Sequence, residues 1–378
     1  MGNKVLIRAD AHNAAHGRNI RRFEETFAAF DWTYNVAEKH GCKWVLDAGD
    51  VFHDRSHLGL LEHYEVYRRV EKAKNEQGIQ TLTVLGNHDM YYKLRSDVVS
   101  IVSLDQFGRI VCDAGTVEIM GVPIDVLPYS EHPAEIFKKA WPKNKPNGEI
   151  LLFHGAFDGA IVNSHHGIIR GKTEDTSLVE QAEEEISDSL STQLVTNWKL
   201  VIGGHYHFPQ TVYSDKDCKV MYVGSPISHG FGESNERKRV IILDLETLEM
   251  EEVWNDFSPK HIIHDLENDP TPDPALFKNC RVRLDLGPIG LTQGVKDLRQ
   301  EMLNAGAISV VPSSGRKVSI DKSMHLTKIT DTKSLATDTR RMVRVYTKMQ
   351  SPDHLDSAKL IEIGDKITAN ASNPAKSD

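Results

Sequence analysis

Apolar runs that break off into metal-ligand residues constrain this chain more than any other feature. The stretch "IQTLTVL" is followed at once by "GNHDMYY", beginning at Gly86. The pattern recurs: the five motifs are Asp10-Ala11-His12, Gly49-Asp50, Asn87-His88, His154-Gly155 and His205-Tyr206-His207. Each stands at or just past a strand-like segment, among them "KVLIRA", "KWVLDAG", "QTLTVLG", "EILLFHG" and "WKLVIGGHYH". In open α/β sheets, sites form outside the carboxyl ends of strands, so ligands far apart in sequence converge there.

The rest of residues 1–257 supports that frame. Asn19 is placed to cap a helix carrying Phe23, Phe27, Phe30 and Tyr34 at a three-to-four spacing. A charged amphipathic helix is expected over about 60–77, and "GVPIDVLPY", "KVMYVGSP" and "KRVIILDL" read as further short strands. Many strands and few helices predict an α/β fold, a two-sheet sandwich flanked by helices. "NDPTPDP" (268–274) reads as a turn-rich linker. After it, "CRVRLDL", a helix with Val295, Leu298 and Met302 on one face, and "ISVVPSS" predict a small α/β domain. The expected division is a core over 1–257, a capping domain over 258–325, a linker over 326–352 and a helical tail over 353–378. The tail's Leu360, Ile363 and Ile367 have helical spacing, but a helix so short needs a docking partner.

No apolar run reaches the roughly 18 residues of a membrane span, and "MGNKVLIRAD" has too short an apolar core for a signal peptide. Cys42, Cys112, Cys218 and Cys280 lack CxxC spacing and read as reduced core residues of a cytoplasmic protein. A net charge of −9 argues against a histone-like polycation while leaving room for nucleic acid at a local basic or metal-loaded site.

With His88 set aside, the five motifs offer a ligand mix of two carboxylates, four imidazoles and one amide oxygen, and no thiolate. Such a set suits Mn, Fe, Co or Zn. Seven ligands exceed what one ion with an open position takes. They suit two divalent ions roughly 3.5–4 Å apart that share a carboxylate. Asp50 is the expected bridge. Two cations facing one water lower its pKa and neutralise charge in an in-line displacement, which implies phosphoester hydrolysis.

The ordered set D-x-H, GD, GNHD, H, GHxH resembles the calcineurin-like metallophosphoesterase superfamily across residues 10–207. "GDVFHDR" and "GSPISHGFGESNERKRVIILDL" resemble, more narrowly, SbcD-type double-strand-break-repair nucleases. That resemblance implies Asp10, His12, Asp50 and His207 around one ion, and Asp50, Asn87, His154 and His205 around the other, with Mn the expected metal. It implies that His88 acts on the scissile phosphate or protonates the leaving oxygen, a task suited to a reference pKa of about 6.5. His53 would place the DNA end, and Asp89 would orient its neighbours. The implied protein is a DNA exo- and endonuclease subunit in recombination and repair. It would be cytoplasmic, at the nucleoid or, for a viral chain, in the host cytoplasm. It would be a homodimer within a heterotetramer, its tail held by an SbcC-like coiled-coil ABC-type ATPase. One departure stands out: Asn13-Ala14 replaces the family's usual Leu-Gly after the first histidine. Two other readings stay open, a stand-alone metallophosphatase or cyclic-nucleotide phosphodiesterase, and a structural scaffold for the ATPase.

The remaining histidines carry weaker signals. His16, His57, His63 and the pair His165-His166 read as loop or surface residues, and His229 is a secondary candidate for the site. "ERKR" (236–239) and "GRK" (315–317) are candidate phosphate contacts, although short charge runs are usually solvated. Basic and aromatic residues do not interleave, so no stacking platform for single strands is expected.

Overall fold

The structure, a computed structural model, describes residues 3–13, 19–92, 94–162 and 189–313. His16, His165, His166, the "GRK" run, the 326–352 linker and the 353–378 tail lie outside them.

Two six-stranded sheets face each other. The first runs Met250–Trp254, Arg239–Asp244, Lys4–Arg8, Trp44–Asp47, Gln80–Val84, Gly108–Val111. The second runs Gln210–Ser214, Lys219–Tyr222, Leu200–Gly204, Ile150–His154, Val122–Leu127, Gly115–Ile119. Strands buried on both faces read as unbroken apolar runs, and the pleat divides each run between two cores. Val5, Ile7, Leu46 and Leu82 point between the sheets and meet Ile124, Ile150, Leu152 and Ile202. Leu6 and Val45 point outward, to helices α1 (Ile20–Lys39) and α2 (Leu60–Asn75). A third core with Trp141, Trp198 and Phe153 fills the outer face of the second sheet, under α3 (Pro133–Ala140). This is the expected sandwich flanked by helices. The Asn19 side chain accepts from Arg22 N–H at 3.3 Å and starts α1, where Phe27 and Phe30 are buried.

The parallel strands 4–8, 44–47 and 80–84 end side by side, in the registers Arg8↔Asp47 and Asp47↔Thr83. In the second sheet Gly204 lies opposite His154. The segments that follow these ends carry all five motifs.

Residues 260–313 form a separate three-stranded parallel sheet, Lys260–Asp265, Cys280–Asp285 and Ser309–Ser313. Helix α4 (Gln293–Asn304) covers it, with Val282, Leu284, Val295, Met302 and Val310 in its core. The linker reading of 268–274 is corrected here. Strand 260–265 precedes that break and pairs with 280–285, so the break is a loop within the small sheet. Its prolines and aspartates signal a turn, and turn chemistry does not distinguish a loop from a tether. The sheet touches α1 through Arg281 to Glu25 at 2.5 Å and Arg22 to His261 at 3.3 Å.

Candidate metal centre

Asp10, His12, Asp50 and His205 all have positive φ, at 54°, 40°, 58° and 110°. Asp10 and His12 therefore do not lie in an extended segment. The strand stops at Arg8, and both residues turn left-handed. Non-glycine residues rarely adopt this backbone, which persists where surrounding bonds over-determine it. Here Asp10 N–H donates to Gly49 O at 3.0 Å and His12 N–H to Asp50 O at 2.9 Å. The Asp89 carboxylate accepts from Asp50 N–H (2.9 Å), Gly86 N–H (3.1 Å) and Val51 N–H (3.1 Å), clamping the two loops together. The loops approach so closely that a Cβ at Gly86 would collide with the backbone and carboxylate of Asp50, which explains the glycine of GNHD. At Gly49 it would meet His154 Nδ1 at 2.5 Å.

The predicted ligands converge. One oxygen of Asp50 accepts from His88 N–H at 2.8 Å. The other, Oδ2, lies 3.5 Å from His12 Nε2 and 3.5 Å from His154 Nε2. On one side, ligand atoms of Asp10, His12 and His207 lie within 4.8 Å of one another, and His12 Nε2 and His207 Nε2 are 3.0 Å apart. On the other, Asn87 Oδ1 lies 3.0 Å from His154 Nε2 and 3.1 Å from His205 Nδ1. Asp10 also accepts from His205 N–H at 2.9 Å, tying the two sides together.

The hydrogen bonds behind the centre set which nitrogens face it. His154 Nδ1–H donates to Ala48 O at 2.6 Å, and His207 Nδ1–H donates to Glu233 at 2.6 Å. Each imidazole thus turns Nε2 inward, the arrangement that orients metal-binding histidines. Asn87 gives a sharper test of fit. Its oxygen faces His154 Nε2, His205 Nδ1 and Asp50 Oδ2 at 3.0–3.2 Å, and its nitrogen faces Arg55 Nη2 at 3.0 Å. With neither a cation nor a proton on those nitrogens, the amide is satisfied only when turned over. An inward oxygen among three lone-pair carriers is what a divalent cation requires, so the donor set fits one.

Burial pushes His205 down to about 3, helped by the neighbouring charge of His154, and burial likewise holds His12 well below its usual value. Both offer bare nitrogens at neutral pH. Burial works against charge on His154 too, but Asp50 and Asp10 outweigh it and lift that imidazole to about 9.

His53 and His88 stand on the open side, their rings stacked with centroids 5.3 Å apart. His88 Nδ1–H donates to His53 O at 2.5 Å, and the His88 ring lies 4.7 Å from that of His12. His229 also reaches the site: its Nε2–H donates to Asp10 O at 3.1 Å, and its ring is 5.4 Å from His12. His57 and His63 do not; they bond Ser56 Oγ and Ser103 Oγ. Glu233 and Arg55 were given no role from sequence. Glu233 stands 26 residues beyond His207, and no local pattern links the two. The phosphate-contact reading of "ERKR" is corrected. Lys238 is buried between Glu233 (2.7 Å) and Glu236 (2.9 Å), and Arg239 is buried against Glu252 and two backbone carbonyls. Neighbouring carboxylates take up those charges; of the run's basic residues, Arg237 is exposed, and it pairs with Asp256.

The sequence profile of calcineurin-like phosphoesterases, Metallophos, matches residues 4–209, more than half of the chain. The chain belongs to the calcineurin-like phosphoesterase family. Membership implies divalent metal ions, and the calcineurin-like motifs are the same loops that converge above. Exonuclease subunit 1 of Enterobacteria phage T4 is 25% identical over 231 residues, 60% of this chain. The chain spans about 60% of that relative's length. Among solved structures, a dimetal phosphatase from Danio rerio is 10% identical over 67% of this chain and 99% of its own, with a TM-score of 0.35. The nuclease MPE of Pseudomonas putida is 16% identical over 66% of this chain and 87% of its own, with a TM-score of 0.31. Among the described residues, no helix is long and apolar enough to cross a membrane.

Proposed function

We propose that this calcineurin-like phosphoesterase is a metal-dependent DNA nuclease that hydrolyses phosphodiesters with two divalent ions, Mn in the first instance. The observation that carries the reading is Asp50 Oδ2, equidistant at 3.5 Å from a histidine of each donor set. Asp10, His12 and His207 would hold one ion, Asn87, His154 and His205 the other, and Asp50 both. Two such ions supply Lewis acidity, lowering the pKa of an attacking water and neutralising charge on the phosphate.

The protein's own groups do the rest. His88 Nε2 contacts the phosphate or gives its proton to the leaving oxygen. His53 stacks behind His88, anchors it through its carbonyl and stands where a DNA end would be placed. Asp89 holds the Asp50 and Asn87 loops at their separation, so the donors are fixed before substrate arrives. A DNA substrate, rather than a small phosphoester, is supported by the "GDVFHDR" resemblance and by the similarity to the phage exonuclease subunit.

In the same reading, residues 258–325 cap the 1–257 core and aim the duplex. The 353–378 tail, beyond the 326–352 linker, grips a coiled-coil ABC-type ATPase. The assembly is a homodimer within a heterotetramer that processes DNA ends in the cytoplasm during recombination and repair. The test is direct. Mn-loaded protein is offered duplex DNA with blunt ends, cyclic nucleotides and 4-nitrophenyl phosphate, with and without ATP and any ATPase recovered by pull-down. Cleavage of the duplex supports the nuclease; turnover of the small esters alone assigns a stand-alone phosphatase or cyclic-nucleotide phosphodiesterase. Biological function that survives loss of His88 chemistry assigns a scaffold.

A further inference from the structure

We propose that Tyr129 is a positioning residue of the metal centre, whose ring holds His205 in the orientation that binds an ion on the Asn87 side. This rests on the two-ion reading above.

His205 is held unlike its fellow donors. His154 and His207 each donate to an acceptor behind them, Ala48 O and Glu233. The polar contacts of His205 run forward instead: its N–H donates to Asp10 at 2.9 Å, and its Nδ1 faces Asn87 Oδ1 at 3.1 Å. Among the described residues, no acceptor bonds its Nε2. Other rings take the place of that bond. Those of Tyr206, His154 and Tyr129 lie 4.8, 5.4 and 5.9 Å away, centroid to centroid. Tyr206 is the chain neighbour of His205 and leans on Tyr222 in the outer core of the second sheet. Tyr129 arrives from a distant segment, and it also meets His154, at 6.2 Å and 72°.

The fold fixes Tyr129 in that place. Strand Val122–Leu127 runs parallel to Ile150–His154, with Leu127 opposite Phe153, so both strands end at the same edge of the sheet. Pro128 follows, and it has no N–H with which to continue the ladder. Tyr129 N–H then donates to Leu85 O at 2.9 Å, immediately before Gly86 and Asn87. The ring packs against the core that contains Leu85, Met90 and Ile101. The hydroxyl donates to Glu131 at 3.2 Å. A further strand end thus reaches the centre, and it brings a fixed surface where the five motifs bring ligands. Tilted and edge-on ring pairs at such distances attract one another. For an imidazole with no hydrogen bond behind it, those contacts decide where Nδ1 is aimed. A donor aimed before the ion arrives loses less freedom on binding. Loss of the Tyr129 ring should therefore weaken the ion on the Asn87 side and spare the ion held by Asp10, His12 and His207.

Mn is titrated calorimetrically into the full chain, wild type against Y129F, Y129L and Y129M. Electron paramagnetic resonance along each titration separates a lone Mn ion from an exchange-coupled pair. We expect the wild type to take up two ions. In Y129L one ion should bind as in wild type and the other about 3- to 10-fold more weakly, the scale of an aromatic contact. The coupled signal should then need correspondingly more Mn. Y129F, which keeps the ring and loses the bond to Glu131, should follow the wild type for both ions. Wild-type affinity for both ions in Y129L overturns the assignment. So does equal weakening of both, which is the mark of general loosening, and so does a Y129F as weak as Y129L, which moves the effect to the hydroxyl. Should Y129L not fold, the same readings on Y129M decide. A wild type that takes up a single ion at saturating Mn overturns the two-ion reading and Tyr129 with it; the other results leave that reading standing.

Discussion

The two faces of the centre are built on opposite plans. On the inner face Asp10, Asp50 and His154 are almost wholly buried, and His154 and His207 each donate to a fixed acceptor behind them. On the outer face the His53 and His88 rings share one hydrogen bond, through the His53 carbonyl, with Arg55 beside them. The inner face can hold charge in place because His154 and His207 are fixed from behind. The outer face can meet a substrate because its polar atoms are not all committed. The contrast assigns holding to one set of residues and acting to the other, and substitutions can separate the two.

The largest effect should come from the residue between both donor sets. Asp50→Ala should lower Mn-dependent turnover by ~10³-fold or more, given several kcal/mol of lost charge stabilisation. Metal content measured on the purified variant should fall with it; full metal content would break the assignment of Asp50 to the holding face. His88→Asn comes next. Losing the proposed general acid should lower kcat about 10²-fold or more, while metal content stays at the wild-type level. A variant that lost its metal instead would move His88 to the inner face. Glu233→Gln tests the support behind His207, and metal affinity should drop about 10- to 100-fold with His88-dependent chemistry intact at saturating Mn.

The smallest effect is in protons. His154, raised to about 9, keeps its extra proton in the metal-free protein at pH 7.5, and loses it only as pH rises through that value. Metal loading must displace it, so apparent Mn affinity should climb up to tenfold per pH unit from pH 7 toward 9 and then level. Calorimetry in buffers of different ionisation enthalpy at pH 7.5 should show at least one proton released. None released would mean that His154 is already neutral, and that Asp50 does not charge it.

Much of this was legible in the chain. The strand runs, the Asn19 cap and the five motifs are short-range signals, because period and capping depend on neighbours within a few residues. Lys238 and Arg239 show where such signals end. Four charged residues in a row look solvated, and only the position of Glu233, Glu236 and Glu252 turns two of them inward. Strand 260–265 was missed for a similar reason: "KHIIHD" gains its place from pairing with 280–285, across the proline-rich loop.

What the sequence by itself determined is the donor chemistry, oxygen and imidazole without thiolate, and its delivery at strand ends after glycine. Only the tertiary structure decided the left-handed turns at Asp10, His12 and Asp50, the inward nitrogens of His154 and His207, and the place of Arg55 beside Asn87. The physical reason is that ligand type is a property of a residue. Its orientation is set by hydrogen bonds to Gly49, Ala48, Asp89 and Glu233, acceptors that the fold alone brings within reach.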